Sequence, residues 1–261
     1  MKSLSQVRES FWYRVLLLFL PIAILIGGAS YMLNRAEVER QHLEMADQMK
    51  EALSNGVAAI DASLQISVRD LKFLAQIPAF RRAVDSPTSI TITPVSEIWA
   101  AFAFNKQVYD RIRWIDETGM ERLQVDYIGG AVEVAPARDL QNRAGRYFFE
   151  DALRLNRGGI YISPLDLYVE GEELQAPYVP TVRFAAPIFD DKGSKRGILV
   201  LNYLAADLLH RFQDRSRVRD VAGWLVNQDG YWLRGPSPGE EFGFMFGRSD
   251  LTLPSRYPEV W

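Results

Sequence analysis

The stretch "TVRFAAPIFDDKGSKRGILVLNYL", Thr181 to Leu204, decides the fold. Two apolar runs flank the polar turn "DKGSK", and Gly193 supplies the residue best able to take a left-handed conformation. That pattern reads as an antiparallel hairpin. Alternation along the first run sets Val182, Phe184, Ala186 and Ile188 on one face, with Arg183, Ala185 and Pro187 on the other. A guanidinium among apolar neighbours needs an anion. On a pocket wall it can fork onto a ligand carboxylate; otherwise it pairs with Asp166 or Glu170 and fastens the adjoining loop.

Similar signals extend outward from this hairpin. "YDRIRWID" and "MERLQVDY" flank "ETG", a hairpin marked by Gly119, and "GWLVNQDGYWLRG" forms another around Asp229–Gly230. "RYFFEDALRL" and "AADLLHRF" read as short helices, and "GGIYIS" as a strand. The Ser, Thr and Pro of "SPTSITITPVSE" (Ser86 to Glu97) predict a loop. Before these lies one long helical pattern from Asn34 to Ile77, whose apolar residues recur every three or four positions (Val57, Ile60, Leu64, Val68, Leu71, Leu74). The order predicts an α+β fold, an antiparallel sheet with helices on one side. Crossover units, GxGxxG and Walker loops are missing, which argues against a nucleotide-binding fold.

The chain has 261 residues and 48% hydrophobic content, ample for a core. Thirty basic residues against thirty-three acidic ones leave a formal charge of −3, so no basic field points to nucleic acid. Zero cysteines remove disulfides, thiolate metal sites and a cysteine nucleophile; two histidines, His42 and His210, are too few for most imidazole metal sites. The carboxylates Glu170, Glu172 and Glu173 lack an EF-hand pattern and read as a solvated turn. Ser163 and His210 lack a nucleophile elbow, so no catalytic residue, metal or cofactor is expected.

"VLLLFLPIAILIGGASYML", Val15 to Leu33, carries no charge and is long enough to cross a bilayer. Its basic flank (Lys2, Arg8, Arg14) suits a signal peptide or an anchor alike. The length of the apolar run and the helical pattern after it favour an uncleaved anchor. By the positive-inside rule residues 1–14 stay cytoplasmic, 15–33 span the membrane, and the bulk is exported. The charged first half of the 34–77 helix fits a stalk or dimer seam, and its more apolar second half fits packing on a sheet.

The series "IRWIDETGMERLQVDY", "LQNRAGRYFF", "GGIYISPLDLYVEGEELQAPYVPTVRFAAPIF" and "LVNQDGYWL" resembles a double Cache (tandem PDC) sensor domain over residues 34–261. Such domains are the extracytoplasmic input modules of bacterial diguanylate cyclases, sensor histidine kinases and chemoreceptors. The resemblance implies a membrane-distal lobe over 78–213, then a linker and a partial membrane-proximal lobe over 214–261. It also implies a small-molecule ligand, a carboxylate or amino-acid-like metabolite, and homodimerisation through the N-terminal helices. Its ligand residues map to Arg146, Tyr147, Phe148, Tyr161, Ser163, Asp166 and Arg183. Gln124 and Tyr168 depart from the family pattern, which commonly has Arg and Asn there. The rival expectations are a membrane-tethered hydrolase using Ser163 and a truncated receptor that only dimerises.

Overall fold

The computed structural model describes residues 4–170, 173–174 and 176–261. Glu172, one of the three carboxylates of the expected solvated turn, therefore lies outside the described residues. The chain forms two compact units, residues 1–52 and 53–261.

One helix, α1 (Leu4–Gln76), contains both the apolar segment and the amphipathic pattern that follows it. It is the one described helix long and apolar enough to cross a membrane. In the first unit its apolar residues from Leu18 to Leu33 are largely solvent-exposed, and Arg40 pairs with Glu37 and Glu44 at 2.7 Å each. In the second unit the stripe becomes a packing face, and Leu71 and Leu74 are wholly buried.

Proline sets the next break. Pro78 pushes the preceding Ile77 into an extended conformation (φ −61°, ψ 134°), which ends α1, and its own fixed φ starts α2 (Pro78–Asp85). The segment expected to be a loop, Ser86 to Glu97, is a loop only as far as Thr88. Helix α3 runs Ser89–Lys106, with Pro94 inside it. Two causes outweigh the Ser/Thr/Pro composition. Thr88 and Thr91 form a reciprocal capping box, and Val95, Trp99 and Ala103 recur every four residues and bury fully against the core. An isolated β-branched, proline-containing stretch does not reveal that second term.

The strands are β1 (Tyr109–Ile115), β2 (Glu121–Ile128), β3 (Ala131–Val134), β4 (Tyr161–Ile162), β5 (Asp166–Leu167), β6 (Val169–Glu170), β7 (Glu173–Leu174), β8 (Pro180–Phe189) and β9 (Lys195–Leu204). Seven of them make one antiparallel sheet in the order β3-β2-β1-β9-β8-β4, with β5 also paired to β8. β6 and β7 pair only with each other. Helix α4 (Tyr147–Arg154) precedes β4, and α5 (Ala206–Arg215) follows β9.

The sheet has two different faces. One carries Ile112, Trp114, Val125, Phe184, Leu199 and Leu201, all buried in one core with Leu71, Leu74, Phe80 and Trp99 from the helices. The other carries a smaller core of Ile115, Ala185, Ile198 and Val200 beneath Phe148, Phe149 and Ala152 of α4. The expected alternation along β8 holds: Val182, Phe184, Ala186 and Ile188 go to the first core and Ala185 to the second.

After α5 the chain adds a two-stranded ribbon, β10 (Leu225–Val226) and β11 (Trp232–Arg234). Its turn is held by Asn227, whose side-chain oxygen accepts from the Asp229 and Tyr231 amides. Leu233 and Phe242 from this segment join the main core.

The approach of β9 to β1 depends on one glycine. Gly197 sits at φ +102°, and a Cβ there would lie 1.9 Å from the Ile115 carbonyl oxygen. Because the obstacle is backbone rather than a movable side chain, Gly197→Ala is expected to cost about 3 kcal/mol or more. Urea unfolding of the detergent-solubilised chain checks this; a loss under about 1 kcal/mol would show that the strands can part to admit the methyl group.

Candidate functional site

The second face of the sheet changes character along the strands. Where α4 covers it, the rows are apolar. Beyond α4, the cross-strand register aligns Asp126 of β2, Arg111 of β1, Asn202 of β9 and Arg183 of β8 as successive neighbours in one row. The adjoining row holds Gln124 and Arg113, followed by Val200 and Ala185.

A β-bulge extends this polar set. Tyr109 opposes Tyr203 and Arg111 opposes Asn202, so Asp110 is an extra residue on β1 with no partner on β9. The bulge lets Tyr109 stay in the helix-side core while Arg111 and Arg113 take the other face. Asp110 joins them: the charges acting on it are those of Arg111, Arg113, Arg183 and Asp126.

Internal bonds orient most of these groups. Arg111 donates from Nε to Asp126 at 2.5 Å and from Nη1 to the Tyr168 hydroxyl at 2.6 Å. Arg113, 3% exposed, donates from Nη2 to Asn202 Oδ1 at 2.9 Å and lies 3.5 Å from Glu121. Glu121 also accepts from Arg143 at 2.9 Å. Gln124 donates to Asp126 at 2.8 Å. Phe148 lies beneath two cations, its ring centroid 5.3 Å from the Arg113 guanidinium and 5.5 Å from that of Arg183.

Four side-chain atoms in this set are buried without a hydrogen-bond partner: Asp110 Oδ1, Arg113 Nε, Gln124 Oε1 and Asn202 Nδ2. Two are acceptors and two are donors. Buried polar atoms are ordinarily satisfied, and each one left unpaired costs on the order of 1–3 kcal/mol. Four together on three adjacent strands is the arrangement expected of a site made for a polar molecule.

The residues anticipated from the sequence take different places in the fold. Arg183, Asp166 and Tyr147 come together: Arg183 Nη1 donates to Asp166 Oδ1 at 2.7 Å and to the Tyr147 hydroxyl at 2.9 Å, and that hydroxyl donates to Asp166 Oδ2 at 2.6 Å. Phe148 forms the floor described above, meeting Tyr147 edge-on. Ser163 contributes through the backbone, since its Oγ accepts from the Arg183 amide and donates to the Pro164 carbonyl. Those two bonds tie the loop to β8 and leave the hydroxyl no adjacent base. Tyr161 opposes Ala185 across the β4–β8 pair. Arg146 is the N-cap of α4, its carbonyl accepting from the Phe149 and Glu150 amides, and its side chain is half-buried.

Sequence reasoning missed Asp110, Arg111, Arg113 and Asn202. Their signal was present in "YDRIRW" and "LNYL", as charged or amide residues inside strands that are otherwise apolar. A bulge cannot be read from alternation, so their shared face was not legible.

The electrostatics follow from this crowding. Burial, only partly offset by the nearby arginines, pushes the Asp110 carboxyl from 3.8 up to about 6. Burial, reinforced by repulsion from Arg111, lowers Arg113 to about 10. Burial opposes the charge on Arg183, yet Asp166 and Tyr147 hold its pKa above the ordinary arginine value. Burial raises Tyr147, with the Asp166 carboxylate adding to it. Three guanidinium groups thus face three aspartates, a site near neutrality rather than a strongly cationic one.

The fold is Cache-like, shared with solved bacterial sensory domains. The chain belongs to the bacterial histidine kinase sensor-domain family, whose model matches residues 62–261. No curated protein matches it significantly. Among solved structures it is similar to a Vibrio parahaemolyticus domain described as from a sensory box/GGDEF family protein, at 23% identity and a TM-score of 0.70, covering 86% of this chain and 83% of that one. It is similar to the extracellular domain assigned to the histidine kinase vpHK1S-Z8, at 22% identity and a TM-score of 0.70, covering 87% and 80%. The ligand-binding domain of the Pseudomonas aeruginosa amino acid chemoreceptor PctC, in complex with GABA, matches at 14% identity and a TM-score of 0.53, covering 84% and 83%.

The raised Asp110 has a measurable consequence. The folded protein holds this proton more tightly than the unfolded chain, so the associated stability is fully present below about pH 4 and is lost as pH rises to about 6. Asp110→Asn removes that loss. Its melting temperature relative to the parent is expected to rise between roughly pH 4.5 and about pH 7.5. A constant difference across that range would mean that Asp110 ionises as an exposed aspartate does.

Proposed function

We propose that this chain is the extracytoplasmic sensing module of a bacterial transmembrane receptor, and that its ligand is a small amino-acid-like metabolite. The observation carrying this reading is the set of four unpartnered buried atoms. The two donors, Arg113 Nε and Asn202 Nδ2, suit a carboxylate, and the two acceptors, Asp110 Oδ1 and Gln124 Oε1, suit an ammonium. The balance of three arginines against three aspartates favours a zwitterion over a dianion, because an added net charge would go uncompensated in a partly desolvated site. The PctC domain, named for amino acids and in complex with GABA, and the Campylobacter jejuni chemoreceptor Tlp3 domain, with isoleucine bound, support this class.

In this reading the ligand-binding residues are Arg113, Asp110, Gln124 and Asn202, with Phe148 as floor. Tyr147, Asp166, Arg183 and Tyr168 brace the surrounding loop. Residues 78–213 act as the membrane-distal lobe and 214–261 as the start of a membrane-proximal one. β5 suits a relay between them: Asp166 faces the site, while Leu167 packs into the core that includes Phe242. A ligand signals only to the extent that it binds two arrangements with different affinity. Residues 15–33 anchor the module in the inner membrane, and α1 pairs it with a second copy.

A thermal-shift screen of the full solubilised chain with amino acids, GABA, dicarboxylates and sugars tests the class. One or more zwitterions are expected to raise the melting temperature. Arg113→Met and Asp110→Asn should each weaken the hit by about 10- to 100-fold, the scale of one charged hydrogen bond. Protection by sugars or dicarboxylates alone, or equal affinity in both variants, would reject the assignment.

A further inference from the structure

A second cleft, of about 560 Å³, lies at the outer end of β8, where its last residues run past β4. The closing turns of α1 and helix α2 form one wall, and the segment from Arg157 to Ile160 forms the other. Phe80, Val84, Ala186 and Ile188, all buried in the main core, give it an apolar floor.

Its rim is cationic. Lys72, Arg81 and Arg157 line it, and no carboxylate is among its lining residues. Arg81 shares its charge with Asp191 at 3.1 Å, both side chains being exposed. Lys72 and Arg157 form no ion pair with any described residue. Arg157 is nonetheless held in place, its guanidinium 4.6 Å from the Phe189 ring centroid. Lys195 lies on the same ring, 5.6 Å away, and its ammonium is bound to the Leu153 and Leu155 carbonyls. The nearby carboxylates are engaged elsewhere: Asp190 with Arg196, Asp191 with Arg81, and Asp85 with the Asp191 amide.

The strand edge does not invite a peptide. Pro187 has no N–H to donate, which blunts β8 against an added strand. An apolar floor of this size, bordered by two unpaired cations, instead suits a small molecule with one anionic end.

We propose that this cleft is a second ligand site, for a small carboxylate with an aryl or branched aliphatic body, its head group met by Lys72 and Arg157. The ligand's body would bridge the end of α1 and the edge of β8, so the domain would carry two inputs of different chemistry. None of its residues belongs to the Asp110–Arg113 site, and the two assignments stand or fall separately.

Phenylacetate titrated calorimetrically into the full solubilised chain tests this, with 2-phenylethylamine as the cationic counterpart. Saturable binding of phenylacetate is expected, weakening with added salt and at least about tenfold tighter than that of the amine. The double variant Lys72→Ala/Arg157→Ala, altered only at exposed positions, should bind phenylacetate about tenfold more weakly, while Arg113→Met should bind it as the parent does. Absence of saturable binding, parental affinity in the double variant, or loss in Arg113→Met would each overturn the proposal.

Discussion

The polar face of this domain depends on one extra residue in β1. Without the bulge at Asp110, strict alternation from Tyr109 would place Arg111 and Arg113 in the helix-side core and Ile112 and Trp114 on the other face. Two unpaired guanidiniums would then lie among Leu71, Phe80 and Trp99, at a desolvation cost that no aliphatic packing offsets. The inserted residue resolves the conflict. It keeps Tyr109 in the core, bound through its hydroxyl to Asp70 at 2.7 Å, and turns Asp110, Arg111 and Arg113 toward the site.

The remaining elements can be understood as consequences of that face. A row of Asp126, Arg111, Asn202 and Arg183 is tolerable under a sheet only if something polar covers it. Asp166 of β5 and the adjacent Tyr168 do so, and the bonds of Ser163 fix the segment just before them to β8. α4 covers the neighbouring apolar rows and sends Phe148 under both Arg113 and Arg183. The internal bonds satisfy most groups and leave four atoms, two donors and two acceptors, without a partner. In the proposed function, strain of this kind is the price of recognition.

The raised Asp110 fits the same account. A carboxyl that resists ionising in the folded protein destabilises it near neutral pH, and a bound ammonium would relieve that cost. In the proposed function, stability and recognition are therefore opposed at this residue.

The sequence by itself determined whatever depends on local period. The hairpins around Gly119, Gly193 and Gly230, the packing stripe ending at Leu74, the two faces of β8 and the short helix after Arg146 all follow from spacings within about ten residues. The resemblance to double Cache domains picked out Tyr147, Phe148, Asp166 and Arg183, which the fold brings together. Only tertiary structure decided the rest. α3 forms because Trp99 finds a core, which the composition of its first turns conceals. Asp110, Arg113, Gln124 and Asn202 meet because three strands pair in one register with one bulge. Register is a relation between segments distant in the chain, and no local pattern encodes it.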